Sequence, residues 1–429
     1  MYLKSLHIEN FRRFERYDCG FDPRLTLLMG VNGAGKSSLL KAISIPFSTA
    51  LGQLGFPKGN EFEVEDVRAS YSTDPSSESW MTVGYPPILR VVFDVEGSPQ
   101  ALSLLRTPAS WVWQQNPRAD MDPPVDLDQF GHSVRTWLFG QTSKAVPVLA
   151  RFGVSAFAGT ARPLDLGRPF EQKRELWDRF QSDQIDVSTL AQWFQHNEFR
   201  SLQEGQEPLI FRVAKQAVLK AIHATDIKYV VRESRLMVRH EDTGWRPFDR
   251  LSDGQKRIAA LFLEIAVRAA SLNSHLGERC LQDAPGFVLI DELDMHLHPQ
   301  WQRAVIDDLL ETFPRLQFVV ASHSPFLIQS ALERGIVIDA CTGDRVDAMD
   351  HSIEDIAETV MGVDQPQRSQ RFLEKRQLAQ EYLELMESPT STPEEREALK
   401  HRLDGALAEF ADDPASAAWL KMQSLSKGL

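Results

Sequence analysis

The chain opens on alternating apolar and polar residues. Leu6 and Ile8 fall on one side and their polar neighbours on the other, which predicts a strand. Phe11-Arg12-Arg13-Phe14 follows, and a return strand is expected at 24–29. After Lys36 the period changes: Leu39, Leu40, Ala42 and Ile43 recur at helical spacing, and Pro46 is expected to end that helix. Residues 52–60 read as a glycine-containing loop and 71–87 as a Ser/Pro/Thr-rich connection, with Phe62, Val64 and Val67 suggesting a strand between them. Ile88–Val95 is a β-rich run that Leu102–Leu105 would pair with, and 107–128, with Trp111 and Trp113, reads as a long loop or surface insertion. The apolar stretch 146–154 reads as a core strand.

Helical spacing dominates from about 170 to 224, carried by Leu176, Trp177 and Phe180, then Leu190, Trp193 and Phe194, then Ile210, Val213, Val218 and Ile222. Short strands at 227–232 and 235–239 suggest a hairpin. Leu251-Ser252-Asp253-Gly254-Gln255-Lys256 leads into a strong helix with Ile258, Leu261, Phe262, Ile265 and Ala269 on one face. Phe287–Ile290 and Phe318–Ala321 are apolar throughout, as strands buried on both faces are. A helix at 298–312 joins them, and a last core strand is expected at 335–339. Beyond 352 the chain reads as charged and helical, with one stripe of Phe372, Leu378, Tyr382 and Leu385, a break over Ser388–Pro393, and a second stripe of Leu399, Leu403 and Leu407. The pattern divides the chain into a β-rich first half of an α/β unit (1–165), a helical insert (166–225), the second half of that unit (226–350) and a helical region for partner binding or oligomerisation (351–429). Alternating strands and helices predict a parallel sheet with its ligand at the carboxyl edge.

Composition narrows the classes. With 429 residues, 42% of them hydrophobic and 25% charged, the chain fits a soluble globular protein of more than one structural unit. No apolar run approaches the roughly 20 residues of a membrane span, and the first residues lack the apolar core of a secretory signal. Three scattered cysteines (Cys19, Cys280, Cys341) fit a reducing cytoplasm. A net charge of −13 gives no bulk argument for nucleic-acid binding and leaves only a local basic groove to carry one.

The candidate chemistry begins at Gly30-Val31-Asn32-Gly33-Ala34-Gly35-Lys36-Ser37-Ser38, which meets G-x-x-x-x-G-K-[ST] between a predicted strand and a predicted helix. Gly30, Gly33 and Gly35 let the backbone curl with its N–H groups inward. The helix start adds its positive dipole end, so the loop can cradle phosphates. Lys36 is then placed for β/γ-phosphate oxygens and Ser37 for Mg²⁺. Asp291, at the end of a buried strand, is a second Mg²⁺ ligand by the same logic, and Glu292 beside it can orient or deprotonate a water. His323 follows the next strand and would report on the γ-phosphate. Ser252, Gly254 and Gln255 open a helix; a plain N-cap and an anion site both fit them. His296-x-His298 has no persuasive metal spacing.

The order GVNGAGKS, LSDGQ, FVLIDE and SHSP resembles the ATP-binding cassette class of P-loop ATPases, and more narrowly the RecF/SMC/OLD-like heads. The opening IENFRRF and the segments DELDMHLHPQWQ and QFVVASHSPFL are similar to that group. The resemblance covers roughly 1–60 and 245–340. It implies an α/β fold of the ABC-ATPase head type, with a mixed sheet, a helical insert and a helical C-terminal region. It also implies two heads paired head to tail around two ATP molecules with Mg²⁺. Lys36, Ser37, Asp291, Glu292 and His323 would act from one subunit, and Ser252 and Gly254 of the other would close on the γ-phosphate. Asp294–Pro299 resembles the loop that links the two sites, and Arg12 and Arg13 are candidate nucleotide contacts. The family's Mg²⁺-sensing glutamine has no clear counterpart; Gln53 and Gln100 are candidates. Lys36 and Ser252 lie too close in sequence for a long coiled-coil arm, so a compact head is implied. Asp344, Asp347 and Asp350 sit in no recognisable nuclease pattern.

The C-terminal segment with Val360-Met361-Gly362-Val363-Asp364 resembles ATPase subunits of bacterial anti-phage systems, the Septu type that works with an HNH nuclease. The resemblance thus implies an ATPase that forms a homodimer or higher homo-oligomer on ATP and regulates a separate effector such as an HNH nuclease. A RecF-like DNA-repair clamp is the alternative, so contact with nucleic acid stays open. A transporter subunit fits the insert and the SHSP form poorly, and a slowly turning-over scaffold is a fourth reading.

Overall fold

A computed structural model describes residues 1–56, 62–71, 81–83, 87–106, 111–113, 127–139, 144–153, 177, 187–346 and 352–362, with single positions at 377, 381, 398 and 401. The chain divides into two units, Met1–Ile353 and Glu354–Leu429. The first contains strands β1 (Tyr2–Phe11), β2 (Phe14–Gly20) and β3 (Leu25–Met29), then helix α1 (Lys36–Gln53). Strands β4 (Ala69–Tyr71), β5 (Met81–Val83), β6 (Ile88–Val95), β7 (Ser98–Arg106) and β8 (Trp111–Trp113) follow, with α2 (Leu127–Phe139) and β9 (Val148–Phe152) after them. Next come α3 (Val187–Glu204), α4 (Leu209–Ala221), β10 (Asp226–Val230), β11 (Arg235–His240), β12 (Gly244–Pro247) and α5 (Asp253–Leu272). The last elements are β13 (Gly286–Asp291), α6 (Pro299–Thr312), β14 (Leu316–Ser322), α7 (Pro325–Arg334) and β15 (Ile336–Asp339).

Five strands form an all-parallel sheet in the order β15-β3-β14-β13-β9. Every residue of β3, β9, β13 and β14 is buried, which is why their sequences run apolar without alternating. Antiparallel strands accompany the parallel ones in the α/β head, as the sheets β2-β1-β6-β7-β8 and β10-β11-β12 and the β4-β5 pair. Gln317, fully buried on β14, joins the two large sheets: its amide nitrogen donates to the Leu3 and Asp22 carbonyls (2.9 and 2.8 Å), and its oxygen accepts the Leu3 N–H (2.6 Å).

Helix α1 continues through Pro46 instead of ending before it. Pro46 lacks an N–H and crowds the preceding turn, at about 3 kcal/mol in a helix interior. Packing outweighs that cost. The adjacent Phe47 ring lies 5.1 Å from Phe287 of the parallel sheet, 5.2 Å from Phe93 of the antiparallel sheet and 5.9 Å from Phe130 of α2. One buried phenylalanine contributes about 2–3 kcal/mol, and most of α1 is buried with it.

Other local expectations change as well. The return strand is β2, which pairs Phe14 to Phe11 across the Arg12-Arg13 turn, while 25–29 joins the parallel sheet. Val64–Asp66 is a 3-10 turn, and Val67 makes only an isolated bridge to Phe11. Trp111–Trp113 adds a strand to β7. The hairpin at 226–240 forms, and β12 extends it to three strands. In the second unit, Ile356–Val360 is a single widened helical turn, with Met361 N–H donating to the Ile356 carbonyl at 3.0 Å. Most of the expected C-terminal helices, and of 154–186, lies outside the described residues.

Candidate phosphate-binding site

Strand β3 delivers the glycine loop to the carboxyl edge of the parallel sheet. Gly30, Gly33 and Gly35 all have left-handed φ (151°, 82° and 97°). At Gly35 an added Cβ would meet the Phe14 ring at 2.5 Å and Arg13 Cδ at 2.9 Å, so the loop lies directly against the β1–β2 turn. Ala34 N–H closes the loop on the Val31 carbonyl at 3.0 Å. Lys36 is buried and curls back over the loop, its Nζ donating to the Gly30 and Val31 carbonyls at 2.7 and 3.2 Å. Burial pulls its pKa down, against the opposing pull of Asp291, Asp294 and Glu292.

Asp291 ends β13 with 3% of its surface exposed. Burial, with some help from Glu292, raises its carboxyl above the usual range, against a hydrogen bond from Ser37 and the charges of Arg151 and Lys36. Its Oδ1 is buried without a hydrogen-bond partner. A buried, unpartnered carboxylate oxygen beside a serine hydroxyl is what a hard cation with oxygen ligands fits, so Ser37 and Asp291 suit Mg²⁺.

Glu292 turns the chain out of the sheet with φ 49°, in the left-handed region. Arg257 of α5 holds it there: Nη2 donates to the Glu292 carbonyl at 2.9 Å and to the Asp291 carbonyl at 3.4 Å. Arg257 is buried, which lowers its pKa, while Glu292, Asp294 and Asp291 oppose that shift. Sequence reasoning missed Arg257. It is one more polar position on an amphipathic helix, and no spacing announces that it reaches two carbonyls.

The 294–298 turn packs between two other motifs. Asp294 Oδ1 accepts from Ser322 Oγ at 2.6 Å, and Oδ2 lies 3.5 Å from His323 Nδ1. Ser324 Oγ donates to Gln302 Oε1 at 2.6 Å, and Gln302 Nε2 donates to the Leu297 carbonyl at 2.9 Å. On the other side, an added Cβ at Gly254 would meet the His296 carbonyl at 2.3 Å. Ser252 caps α5 in a reciprocal box with Gln255 and is exposed. His298 caps α6 through Nδ1, accepting the Gln300 N–H at 3.4 Å. Among the described residues there is no group of three or more His, Cys, Asp or Glu fit for a metal.

A cleft of about 290 Å³ brings part of the predicted set together: Asn32, Gly33, Gly35, Lys36, Ser37 and Ser38 from the loop, with Asp291 and Glu292 opposite. Arg12 and Arg13 line it too. Arg12 Nη1 donates to Ser38 Oγ at 3.2 Å, and Arg13 Nη1 donates to the Gly33 carbonyl. Gly30 and Ala34 shape the loop without lining the cleft. Ser252, Gly254, Gln255 and His323 are absent from its walls, and so are Gln53 and Gln100.

Two family models match the chain: "AAA ATPase domain" over residues 1–148, and "AAA domain, putative AbiEii toxin, Type IV TA system" over 160–329. A crystal structure of an SMC head bound to the C-terminal winged-helix domain of ScpA matches 82% of this chain and 98% of its own at TM-score 0.50 and 14% identity, which speaks to fold. Over residues 1–148 and 160–329 the chain is similar to ATPase domains of the AAA type. Among curated relatives, the retron Vc95 probable ATPase of Vibrio cholerae serotype O1 biovar El Tor is 43% identical over 88 residues, 20% of this chain and 17% of the relative. The Septu protein PtuA of Bacillus thuringiensis is 35% identical over 105 residues, 22% of this chain and 26% of PtuA. The DNA replication and repair protein RecF of Roseiflexus castenholzii is 29% identical over 217 residues, 49% of each chain. This chain thus spans half or less of the length of these curated relatives. Among the described residues, no helix is long and apolar enough to cross a membrane.

Proposed function

We propose that this RecF/SMC-like head binds ATP with Mg²⁺, hydrolyses it, and uses the cycle to switch a separate effector. The observation that carries the reading is the buried, unpartnered Asp291 Oδ1 beside Ser37, at the mouth of a glycine loop that already cages Lys36. The loop N–H groups and Lys36 bind the phosphate chain, while Ser37 and Asp291 hold Mg²⁺, which neutralises phosphate charge when bound. Glu292, partly exposed in the cleft, orients the attacking water and takes its proton. Ser252 and Gly254 lie outside their own cleft, which supports their acting on the ATP of a second copy, in a homodimer or larger homo-oligomer. His323, tethered to Asp294, reads the γ-phosphate.

The effector reading draws on the retron and Septu relatives and points to anti-phage defence in the cytoplasm, with a nuclease such as an HNH enzyme as partner. The RecF match supports a second reading, a DNA-binding repair ATPase. Calorimetry and sedimentation on the full chain test the core of the proposal. Lys36→Ala is expected to lose ATP binding, Glu292→Gln to bind ATP and accumulate as a dimer without turnover, and Ser252→Arg to bind ATP as a monomer. Parental hydrolysis in Glu292→Gln would remove Glu292 as the base.

A further inference from the structure

The cleft's Arg12 is anchored on a carboxylate that is not part of its lining. Asp66 ends the Val64–Asp66 turn and is fully buried. Its Oδ1 accepts Arg12 Nε at 2.7 Å and its backbone carbonyl accepts the Arg12 N–H, also at 2.7 Å. Oδ2 accepts the Glu63 N–H at 2.8 Å, and Lys41 Nζ of α1 approaches the same oxygen at 2.8 Å. Arg12 needs such anchoring because it sits at φ 49° in the β1–β2 turn. Two neighbouring links hold the same turn against the 62–68 segment: Arg68 N–H donates to the Asn10 carbonyl at 3.0 Å, and Phe11 bridges to Val67.

This arrangement fixes both ends of the Arg12 fork. Nε is held by Asp66, and Nη1 reaches Ser38 Oγ at the first turn of α1. A guanidinium is planar whatever its partners, and pinning it at Nε fixes the orientation of that plane and of its outer N–H groups, the geometry that recognises phosphate oxygens, whereas a loose arginine would have to be ordered on binding. We infer that Asp66 is a positioning residue for nucleotide binding: it fixes the Arg12 guanidinium beside Ser38, so that a cationic fork awaits the phosphate chain of a nucleoside triphosphate. The inference rests on the nucleotide reading above. A purely structural Asp66 would staple the 62–68 segment to α1 through Lys41 and leave affinity alone.

Titration calorimetry of the full chain with ATP and Mg²⁺ separates the two roles. Asp66→Asn is expected to weaken ATP about five- to tenfold and Arg12→Ala at least as much. The double variant should be no weaker than Arg12→Ala within twofold, because the two residues act as one unit. Lys41→Met, which removes the other ion partner, should stay within twofold of the parent. Equal or tighter binding by Asp66→Asn, which simple removal of a negative charge near phosphates would give, overturns the inference, as do additive losses in the double variant. If Asp66→Asn does not fold, Arg12→Lys decides: the charge stays but the fork is gone, so affinity should fall as in Arg12→Ala, and parental affinity overturns the inference. A parent chain that binds no ATP removes the nucleotide reading and this inference with it; a parent that binds while the variants match it removes the inference alone.

Discussion

Arg257→Met is the sharpest test of how the site holds Glu292, the base under the proposed function. The substitution keeps the length and apolar stem of a buried side chain and deletes the donors to the Glu292 and Asp291 carbonyls. A left-handed φ at a non-glycine residue costs about 1 kcal/mol, and a charge-assisted hydrogen bond at 2.9 Å contributes about 2 kcal/mol. Net anchoring of about 1 kcal/mol in favour of the Glu292 conformer becomes about 1 kcal/mol against it. Its population then falls from about 85% to about 15%, a roughly fivefold loss. Steady-state ATP hydrolysis should show kcat down about fivefold, while calorimetry shows ATP affinity within twofold of the parent, because the loop and Lys36 are untouched. Urea unfolding should lose about 1–3 kcal/mol from the two carbonyls deprived of a donor. Unchanged kcat in a destabilised variant would refute the link between Arg257 and Glu292 as the proposed base. So would a rise in Kd that accounts for the whole loss of kcat/KM.

Gly35→Ala should abolish ATP binding, since the new Cβ meets the Phe14 ring at 2.5 Å on a backbone at φ 97°; calorimetry showing parental affinity would contradict the packed loop. Gln317→Leu strips three hydrogen bonds from the join between the two large sheets and should cost about 2–4 kcal/mol in chemical denaturation, with nucleotide affinity retained in the folded fraction. Burial pushes the thiols of Cys19 and Cys280 up, to about 12 and about 11, and Cys341 is exposed. Iodoacetamide at pH 8 should therefore label Cys341 alone in the native chain, as read by mass spectrometry. The same shifts give a sign for alkaline stability. The folded thiols keep protons that an unfolded chain loses near pH 9, so stability is full below that pH and falls as pH rises towards 11–12.

Much of the candidate site's geometry was legible because its residues are local in sequence. The glycine loop, Lys36 and Ser37 lie within one motif, and β13 reads as a buried strand ending in Asp291 and Glu292. What escaped is what depends on contacts remote in the chain. Pro46 reads as a helix stop because its local cost is real; the aromatic cluster that outweighs it comes from residues 93, 130 and 287. β2 alternates as a strand should, yet the more apolar 24–29 masks it as the return strand, and the partners of 25–29 are β14 and β15. Gln317 and Asp66 look like surface polar residues until their three-dimensional partners are known. Arg257 was hidden for the same reason: side chain to backbone bonds leave no charge pattern in the sequence.

Helix α5 shows why these remote contacts matter for function. Ser252, at its N-cap, is exposed; Gly254 lies tight under the His296 carbonyl; Arg257, less than one turn further on, grips the backbone of Glu292. A helix start cannot shift without moving all three, because its first turn is rigid and the Gly254 contact leaves no slack for a methyl group. On the proposed function, whatever docks on Ser252 therefore acts through the same helical turn that sets the Glu292 conformer. Under that proposal hydrolysis would be coupled to closure by geometry: Ser252, proposed to meet a second copy's ATP, and Arg257, which holds the backbone of the proposed base Glu292, lie five positions apart on one element.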